Sequence, residues 1–489
     1  VADADEFELL GFIDDDAGKI GRHINGVPVF GPTDLHRTVE RLGISDILLA
    51  LPSATRRRRH QIVEELRSVP VHIRSVPGMA DLASGRISIS DFRELDLEDL
   101  LGRDPIPPNP MLLARDLANK TVLVTGAGGS IGAELCRQIV AERPAMLLLV
   151  DHSEFALYTI HSEIEAVLAA QASPGQKQPG LVPLLGSVRD YKRISDICST
   201  YRPDTVYHTA AYKHVPMVEH NPCEGVATNV QGTLNVARAA MENGAASFVL
   251  ISTDKAVRPT NIMGASKRVA EMILQAMASE SMVRYDDEVS LAGLVRNRTR
   301  FIMVRFGNVL GSSGSVVPLF RRQIEEGGPV TLTHREITRF FMTISEAAQL
   351  VLQAGAMGEG GEVFVLDMGE PVQIIELARR MVQLSGRSVR DDANPDGDIE
   401  IRITGLRPGE KLFEELLIGD DPSSTAHPRI MKARENYRAW NELRPWISKL
   451  EQATRANEVR EVQQVLQQLV VGYRPTGEIV DWIASAKWA

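Results

Sequence analysis

The run Thr121-Val122-Leu123-Val124-Thr125-Gly126-Ala127-Gly128-Gly129-Ser130-Ile131-Gly132 decides how the chain is read. Thr121–Thr125 is rich in β-branched side chains and predicts a strand, while the pattern from Ser130 to Arg143 predicts a helix. Between them Gly126, Gly129 and Gly132 let the backbone turn sharply and come close to a phosphate. The anion then meets Ser130 and Ile131 at the positive end of the helix. A glycine cluster can serve packing alone, but here strand and helix flank it as a dinucleotide site requires. A further residue agrees. Asp151 closes the next apolar run, Met146–Asp151, 19 residues after Gly132. A carboxylate there accepts hydrogen bonds from an adenosine ribose and repels a 2′-phosphate. His152 and Ser153 beside it bring no arginine to welcome that phosphate, so NAD is expected rather than NADP.

Outward from this segment, strand-like runs at Val182–Gly186, Thr205–Thr209, Phe248–Thr253 and Arg300–Arg305 alternate with helical patterns. That alternation predicts an α/β fold with a doubly wound parallel sheet over residues 119–310, carrying both the cofactor and the catalytic groups. Beyond Gly311 the elements shorten, and 311–440 reads mainly as a substrate-binding lobe. Residues 441–489 read as a helical segment in which Glu451–Val471 forms one amphipathic helix. Upstream, 1–77 reads as a smaller, partial α/β domain. Its strands are Leu9–Ile13, Val27–Phe30 and Asp46–Leu51, and its helices Thr33–Leu42 and Arg56–Val69. The arginine run Arg56–Arg59 is tempting as a phosphate or membrane patch, but it reads more simply as a solvated helix start. Residues 78–118 form a connector in which Pro105, Pro107, Pro108 and Pro110 forbid a continuous helix.

Composition narrows the class. At 489 residues the chain is too long for one ordinary domain, and 44% apolar with 24% charged residues describes a protein with real cores. A net charge of −10 argues against a nucleic-acid binder. The cysteines Cys136, Cys198 and Cys223 give neither a disulfide framework nor metal-ligand spacing, so a reducing compartment and no metal are expected. No apolar run reaches the roughly 20 residues that span a bilayer. The chain opens at Val1 in mid-pattern, so a preceding piece is expected.

The strand Phe248–Thr253 runs into Asp254-Lys255. Polar groups at the carboxyl end of a central strand face the ligand crevice of such a sheet. An acid beside an amine can divide general-acid and general-base work when burial and charge tune them, although an exposed ion pair is the usual fate of such a dipeptide. Nine residues after Asp254 comes Met263-Gly264-Ala265-Ser266-Lys267, which opens a helix running to Met277. The i, i+4 spacing puts Met263 and Lys267 on one helix face.

With these residues the sequence resembles the extended short-chain dehydrogenase/reductase superfamily, whose members place Tyr-x-x-x-Lys here on a Rossmann sheet. Lys267 agrees and Met263 does not, since methionine exchanges no protons. The departure is similar to the long polysaccharide-biosynthesis branch of UDP-N-acetylglucosamine 4,6-dehydratases. Further segments carry the same likeness: His208-Thr209-Ala210-Ala211-Tyr212-Lys213-His214-Val215-Pro216, Thr253-Asp254-Lys255-Ala256, Arg305-Phe306-Gly307-Asn308-Val309-Leu310-Gly311 and Arg407-Pro408-Gly409-Glu410-Lys411-Leu412. The front segment Gly11-Phe12-Ile13-Asp14-Asp15-Asp16 belongs with the long form, where it lies in an extra nucleotide-fold domain following transmembrane helices.

The resemblance implies NAD-dependent 4,6-dehydration of a UDP-sugar with retention at C5, an early step toward modified sugars for surface polysaccharide or protein glycosylation. It implies Asp254 as the acid at the C6 hydroxyl and Lys255 as the base at C5, which requires a lowered lysine pKa. Lys267 would hold the nicotinamide ribose, and Thr253, Asp254 through water, or Lys267 would take the C4 hydroxyl proton. Asp190 would meet the adenine amino group, and Asn229 would brace the active-site helix. Ser153 and the Ala210–Tyr212 turn would line the cofactor site. Lys213 and Met263 would line the sugar pocket, and Asn308, Arg339, Arg407 and Glu410 would bind the nucleotide. A structural ion pair of Arg407 with Glu410 is the plainer alternative. A homo-oligomer is implied, with the chain forming the cytoplasmic portion of an inner-membrane protein anchored only by helices outside it. The rival readings are a C5-inverting dehydratase, a C4-epimerase and a non-catalytic NAD-sensing scaffold.

Overall fold

The computed structural model describes residues 8–51, 106–172, 178–285, 294–416 and 422–488, with pieces at 54, 58, 61–62, 66, 71–75 and 93–94. The expected helix Arg56–Val69 and the connector 78–118 therefore lie largely outside the described residues. The chain forms two compact units. One comprises 1–106, 316–336 and 372–405, the other 107–315, 337–371 and 406–489.

The second unit is built on a nine-stranded sheet. Its strands are β1 (Thr121–Thr125), β2 (Met146–Asp151), β3 (Gly180–Leu185), β4 (Thr205–His208), β5 (Ser247–Ile251), β6 (Arg300–Arg305), β7 (Val363–Leu366), β8 (Ser423–Ser424) and β9 (Ile430–Ala433). They stand in the order β8-β9-β7-β6-β5-β4-β1-β2-β3. Strands β1 to β7 are parallel, and β9 and β8 extend one edge antiparallel. The order reverses between β1 and β4, where a doubly wound sheet opens its ligand crevice. Helices α1 (Pro110–Arg115), α2 (Ser130–Ala141), α3 (Glu154–Ala170), α4 (Tyr191–Tyr201), α5 (Gly232–Glu242), α6 (Ile262–Ser279) and α7 (Ile344–Met357) accompany it. Pro110 opens α1 at a position where its missing N–H is no loss, and Asn109 caps the helix by accepting from the amides of Met111 and Leu112.

Near-continuous apolar strands are what a sheet covered on both faces demands. Leu123, Leu148, Val206, Phe248 and Leu250 face one core, and Val122, Val124, Leu147, Leu149 and Val249 the other. Helix α6 is buried at every residue from Ile262 to Met277. It packs in the first core with α8 (Trp440–Arg455) and α9 (Val459–Leu469). These two replace the single helix expected over Glu451–Val471. Asn457 adopts φ +55, a left-handed conformation that ends one helix and reverses into the next.

Charges are buried beneath this packing. Arg305, at the end of β6, is fully buried and grips both oxygens of the equally buried Glu271 on α6, at 2.7 and 2.5 Å. Its remaining nitrogen donates to Glu435. Glu271 also accepts from Ser252 at 2.6 Å and from Arg268 at 3.0 Å.

The first unit joins distant pieces of chain. Leu35, Val39, Ile47, Leu49, Leu66 and Val71 form its core, with Leu384 packed against them. Val330–Leu332 pairs in parallel with Ile399–Ile403. The stretch 311–440, expected mainly as one lobe, is thus divided between the units. Among the described residues no helix is long and apolar enough to cross a membrane.

Replacing Arg305 with Met strands two carboxylates in the core. Urea unfolding is expected to register a loss of about 3–5 kcal/mol, the usual result of removing one partner of a buried pair.

Candidate active site

At the crevice, Gly126 has φ +68, a conformation that favours glycine. A Cβ on Gly132 would lie 2.0 Å from the Gly126 carbonyl oxygen, and one on Gly128 would lie 2.5 Å from Ala156. The turn is therefore closed to side chains where it packs on α2 and α3. Gly129, the N-cap of α2, provides no capping side chain for the helix amides, which suits an anionic ligand there. Asp151 is buried and held by both oxygens, accepting from the amides of Gly128 and Ser153 at 2.9 Å each. It is thus fixed at the rim of the cradle, where a ribose would meet it. Ser153 caps α3 and Asp190 caps α4. The residues present fit a dinucleotide.

Ala210, Ala211 and Tyr212 follow β4. Asn229 holds the Tyr212 backbone at two points, accepting from its N–H at 2.8 Å and donating to its carbonyl at 3.0 Å. Asn229 sits in a π-helical turn, Ala227–Gln231, a widening that recurs at functional sites. Its amide also reaches Ser266 Oγ on α6 at 3.0 Å, and Ser266 donates to the Met263 carbonyl at 2.7 Å. Behind it runs a buried polar seam. Thr233 donates to the Asn229 carbonyl, so its oxygen accepts from His208 Nε2 at 3.0 Å, leaving Nδ1 to accept from Thr125 at 2.7 Å. Burial and the nearby Lys267 charge hold the His208 imidazolium down to about 3.

The chemistry-bearing groups meet beyond β5. Thr253 caps a short turn, Asp254–Ala256, and donates to Asp254 Oδ1 at 2.9 Å. Lys255 Nζ donates to the same Oδ1 at 3.0 Å and to Asn308 Oδ1 at 3.1 Å. Asp254 is 1% exposed, and its Oδ2 is buried without a hydrogen-bond partner among the described residues. A Cβ on Gly307 would come within 2.9 Å of that oxygen, so glycine keeps room for it. The expected lowering of the Lys255 pKa does not occur. Burial pulls it down, but the charges of Asp254 and Glu414 outweigh burial and leave it above the usual lysine value.

Glu414 gave no signal in the sequence. It lies 3.8 Å from Lys255 Nζ, is almost wholly buried, and is brought there by a segment some 160 residues away. Glu410 and Glu414 share a four-residue spacing, the only local hint available. Asn261 was also unanticipated. Its Oδ1 caps α6 through the Gly264 amide at 2.7 Å, and its Nδ2 donates to the Gly409 carbonyl at 3.0 Å.

Arg339 is buried and donates to the carbonyls of Thr338, Leu412 and Lys411, and to Glu410 at 3.3 Å. Glu410 accepts from the Arg407 backbone amide at 3.2 Å. The ion pair of this segment thus joins Glu410 to Arg339, while Arg407 is exposed. Lys213 and His214 are both exposed on the turn after β4. Surrounding protein and the Lys255 charge pull Lys213 below the usual lysine value. Met263 and Lys267 are buried together on α6. Among the described residues no group of three or more His, Cys, Asp or Glu side chains is placed to hold a metal.

Burial brings Lys267 down to about 8 from 10.5, against an opposing pull from Glu271. Below pH 8 the folded chain bears the full cost of a buried ammonium. Between 8 and 10.5 the unfolded chain binds the extra proton, so stability rises with pH. Urea titrations of native chain and Lys267→Met should diverge in the native chain's favour across that window; a constant difference would contradict a depressed lysine.

Comparison with known proteins adds to this geometry. The family described as polysaccharide biosynthesis protein matches residues 122–435, and the one described as CoA-binding domain matches residues 2–77. The capsular polysaccharide biosynthesis protein CapD of Staphylococcus aureus is 44% identical over 384 residues, 78% of this chain and 59% of that protein. The chain therefore spans less than two thirds of that relative. An inverting UDP-N-acetylglucosamine 4,6-dehydratase of Campylobacter jejuni is 31% identical over 63% of this chain and 80% of its own length. A UDP-glucose 4-epimerase of Rickettsia canadensis is 34% identical over 62% and 79%. Among solved structures, Pen from Bacillus thuringiensis agrees with a TM-score of 0.53 at 30% identity, covering 68% of this chain and 98% of that one.

Proposed function

The chain belongs to the polysaccharide biosynthesis protein family, and from that premise we propose that it is an NAD-dependent 4,6-dehydratase of a UDP-sugar, UDP-N-acetylglucosamine first. One observation carries the reading: a buried acid, Asp254, and a half-buried amine and amide, Lys255 and Asn308, meet at the end of β5 beside a helix with methionine at 263. Removing water across C5 and C6 needs a proton acceptor at C5 and a donor at the C6 oxygen, and an adjoining amine and carboxyl are such a pair. Epimerisation at C4 needs neither. The likeness to the C. jejuni dehydratase supports the same chemistry.

NAD, when bound, supplies the acceptor that takes a hydride from sugar C4 and returns it at C6. The Gly126–Gly132 turn receives its pyrophosphate, Asp151 its adenosine ribose and Lys267 its nicotinamide ribose. Asp254, once it has taken the proton that the C4 hydroxyl releases through water, directs its unpartnered Oδ2 to the C6 hydroxyl and protonates it as it leaves. Lys255 draws the C5 proton once it is neutral. Arg407, open to solvent, meets the diphosphate, and Arg339 shapes the segment that carries it. Retention at C5 is assigned because Met263 carries no proton.

Proton NMR of UDP-N-acetylglucosamine incubated with the chain in deuterated water tests the reading. A new 6-methyl signal, deuterium at C5 and the coupling of retained configuration are expected. Inverted C5 would replace retention with the stereochemistry of the C. jejuni relative, and exchange at C4 without a methyl would favour the epimerase.

Cofactor choice is a second test. Asp151→Ala is expected to weaken NAD and to narrow its preference over NADP by about tenfold or more, about 1.4 kcal/mol, in fluorescence titrations.

A further inference from the structure

For Lys255 to act as a base it must first be an amine, and the geometry holds it as an ammonium. Among the described residues three side chains set an oxygen within 4 Å of its ammonium. Asn308 offers an amide oxygen, which is no base. Asp254 Oδ1 already accepts from both Thr253 and Lys255, and its Oδ2 is the atom directed at the C6 hydroxyl. Glu414 is different. Its Oε1 lies 3.8 Å from Lys255 Nζ and 4.0 Å from Arg339 Nε, beyond hydrogen-bond reach. Its Oε2 is buried with no hydrogen-bond partner among the described residues. A carboxylate buried without a donor gains more from a proton than one already bonded.

We propose that Glu414 is the proton store of this site: it takes the Lys255 ammonium proton, so that the freed amine can draw the proton from sugar C5. The inference rests on the dehydratase reading for its second half only. In the first step Glu414 Oε1 closes from 3.8 Å to hydrogen-bond distance of Lys255, the N–H bond breaks and an O–H bond forms on that oxygen, with no change in net charge. In the second the amine takes the C5 proton, and the C5–H electron pair passes into the enolate of the 4-keto sugar. No outside reactant is needed.

Burial raises the Glu414 carboxyl above the usual glutamate range, and the facing Asp254 charge adds to this against Lys255, Arg339 and Lys411. At low pH Glu414 and Lys255 both carry protons and the store is full. Raising the pH through the Glu414 pKa empties it, so native turnover should rise on an acid limb and then level off.

The test compares native chain, Glu414→Gln and Glu414→Asp by turnover of UDP-N-acetylglucosamine across pH 6–10. Each variant is first checked for folding and bound NAD. In Glu414→Gln the proton must leave Lys255 for solvent. The acid limb should therefore give way to one climbing about tenfold per pH unit on the alkaline side, with kcat down at least about a hundredfold at pH 7 and KM little changed. Glu414→Asp should restore the limb to the acid side. A merely structural Glu414 would lower the rate with the limb in place, and that result overturns the proposal.

If the native chain makes no 4-keto product, the dehydratase reading fails, and infrared difference spectra still decide for Glu414. One carboxyl should gain its proton above the ordinary glutamate range in the native chain and be missing from Glu414→Gln. Identical spectra would refute the proton store whatever the enzyme's reaction.

Discussion

The grip of Arg305 on Glu271 is the constraint on which the site depends. Neither side chain reaches water, and each belongs to an element that also carries chemistry. Arg305 ends β6 just before Gly307 and Asn308, and Glu271 lies one helical turn beyond Lys267. Ser252, which donates to Glu271, directly precedes Thr253 and Asp254. One bidentate pair thereby ties the acid, the amine's amide partner and the buried lysine to a common point. An apolar pair of similar volume could hold these elements together as firmly. It would not fix their register, because oily surfaces slide where a planar fork does not.

Much of this was legible from local pattern. The strand, glycine turn and helix from Thr121 to Ala141 stand as the sequence led us to expect, and Asp151 closes its strand. The acid and amine at Asp254-Lys255 stand beyond β5 because a strand's end in such a sheet has only one side to open toward. What escaped were contacts made across long stretches of chain. Glu414 reaches Lys255 from the stretch after Arg407-Pro408-Gly409, whose place is set by the Asn261 contact with the Gly409 carbonyl across 148 residues. Arg339 reads as a phosphate fork, and in the fold the carbonyls of Lys411 and Leu412 accept from its guanidinium. The closing helix broke at Asn457, because backbone handedness at one residue leaves no trace in hydrophobic period. Division of the 311–440 stretch between two units was likewise a matter of long-range pairing, with Val330–Leu332 finding Ile399–Ile403.

The lysine expectation failed for a physical reason. Burial alone would have lowered Lys255, and from sequence burial was the only foreseeable influence apart from adjacent Asp254. The fold adds a second carboxylate and reverses the sign. Lys267, buried in the same unit but opposed by a Glu271 already claimed by arginines, moves the other way. Two lysines twelve positions apart thus differ in proton affinity through the company each carboxylate keeps.

The polar seam behind the site has a consequence of its own. From Thr125 through His208 and Thr233 to Asn229, every hydroxyl and ring N–H points the same way, because Thr233 is committed to a backbone carbonyl. A proton wire conducts only if each link can turn over in succession, and this one ends at a peptide oxygen that cannot pass a proton on. With its imidazole held neutral, the His208 link accepts at Nδ1 and donates at Nε2 and has no second proton to pass on. Along this path β1 is joined mechanically to Asn229 and the Tyr212 turn it holds, with no relay that a proton could follow.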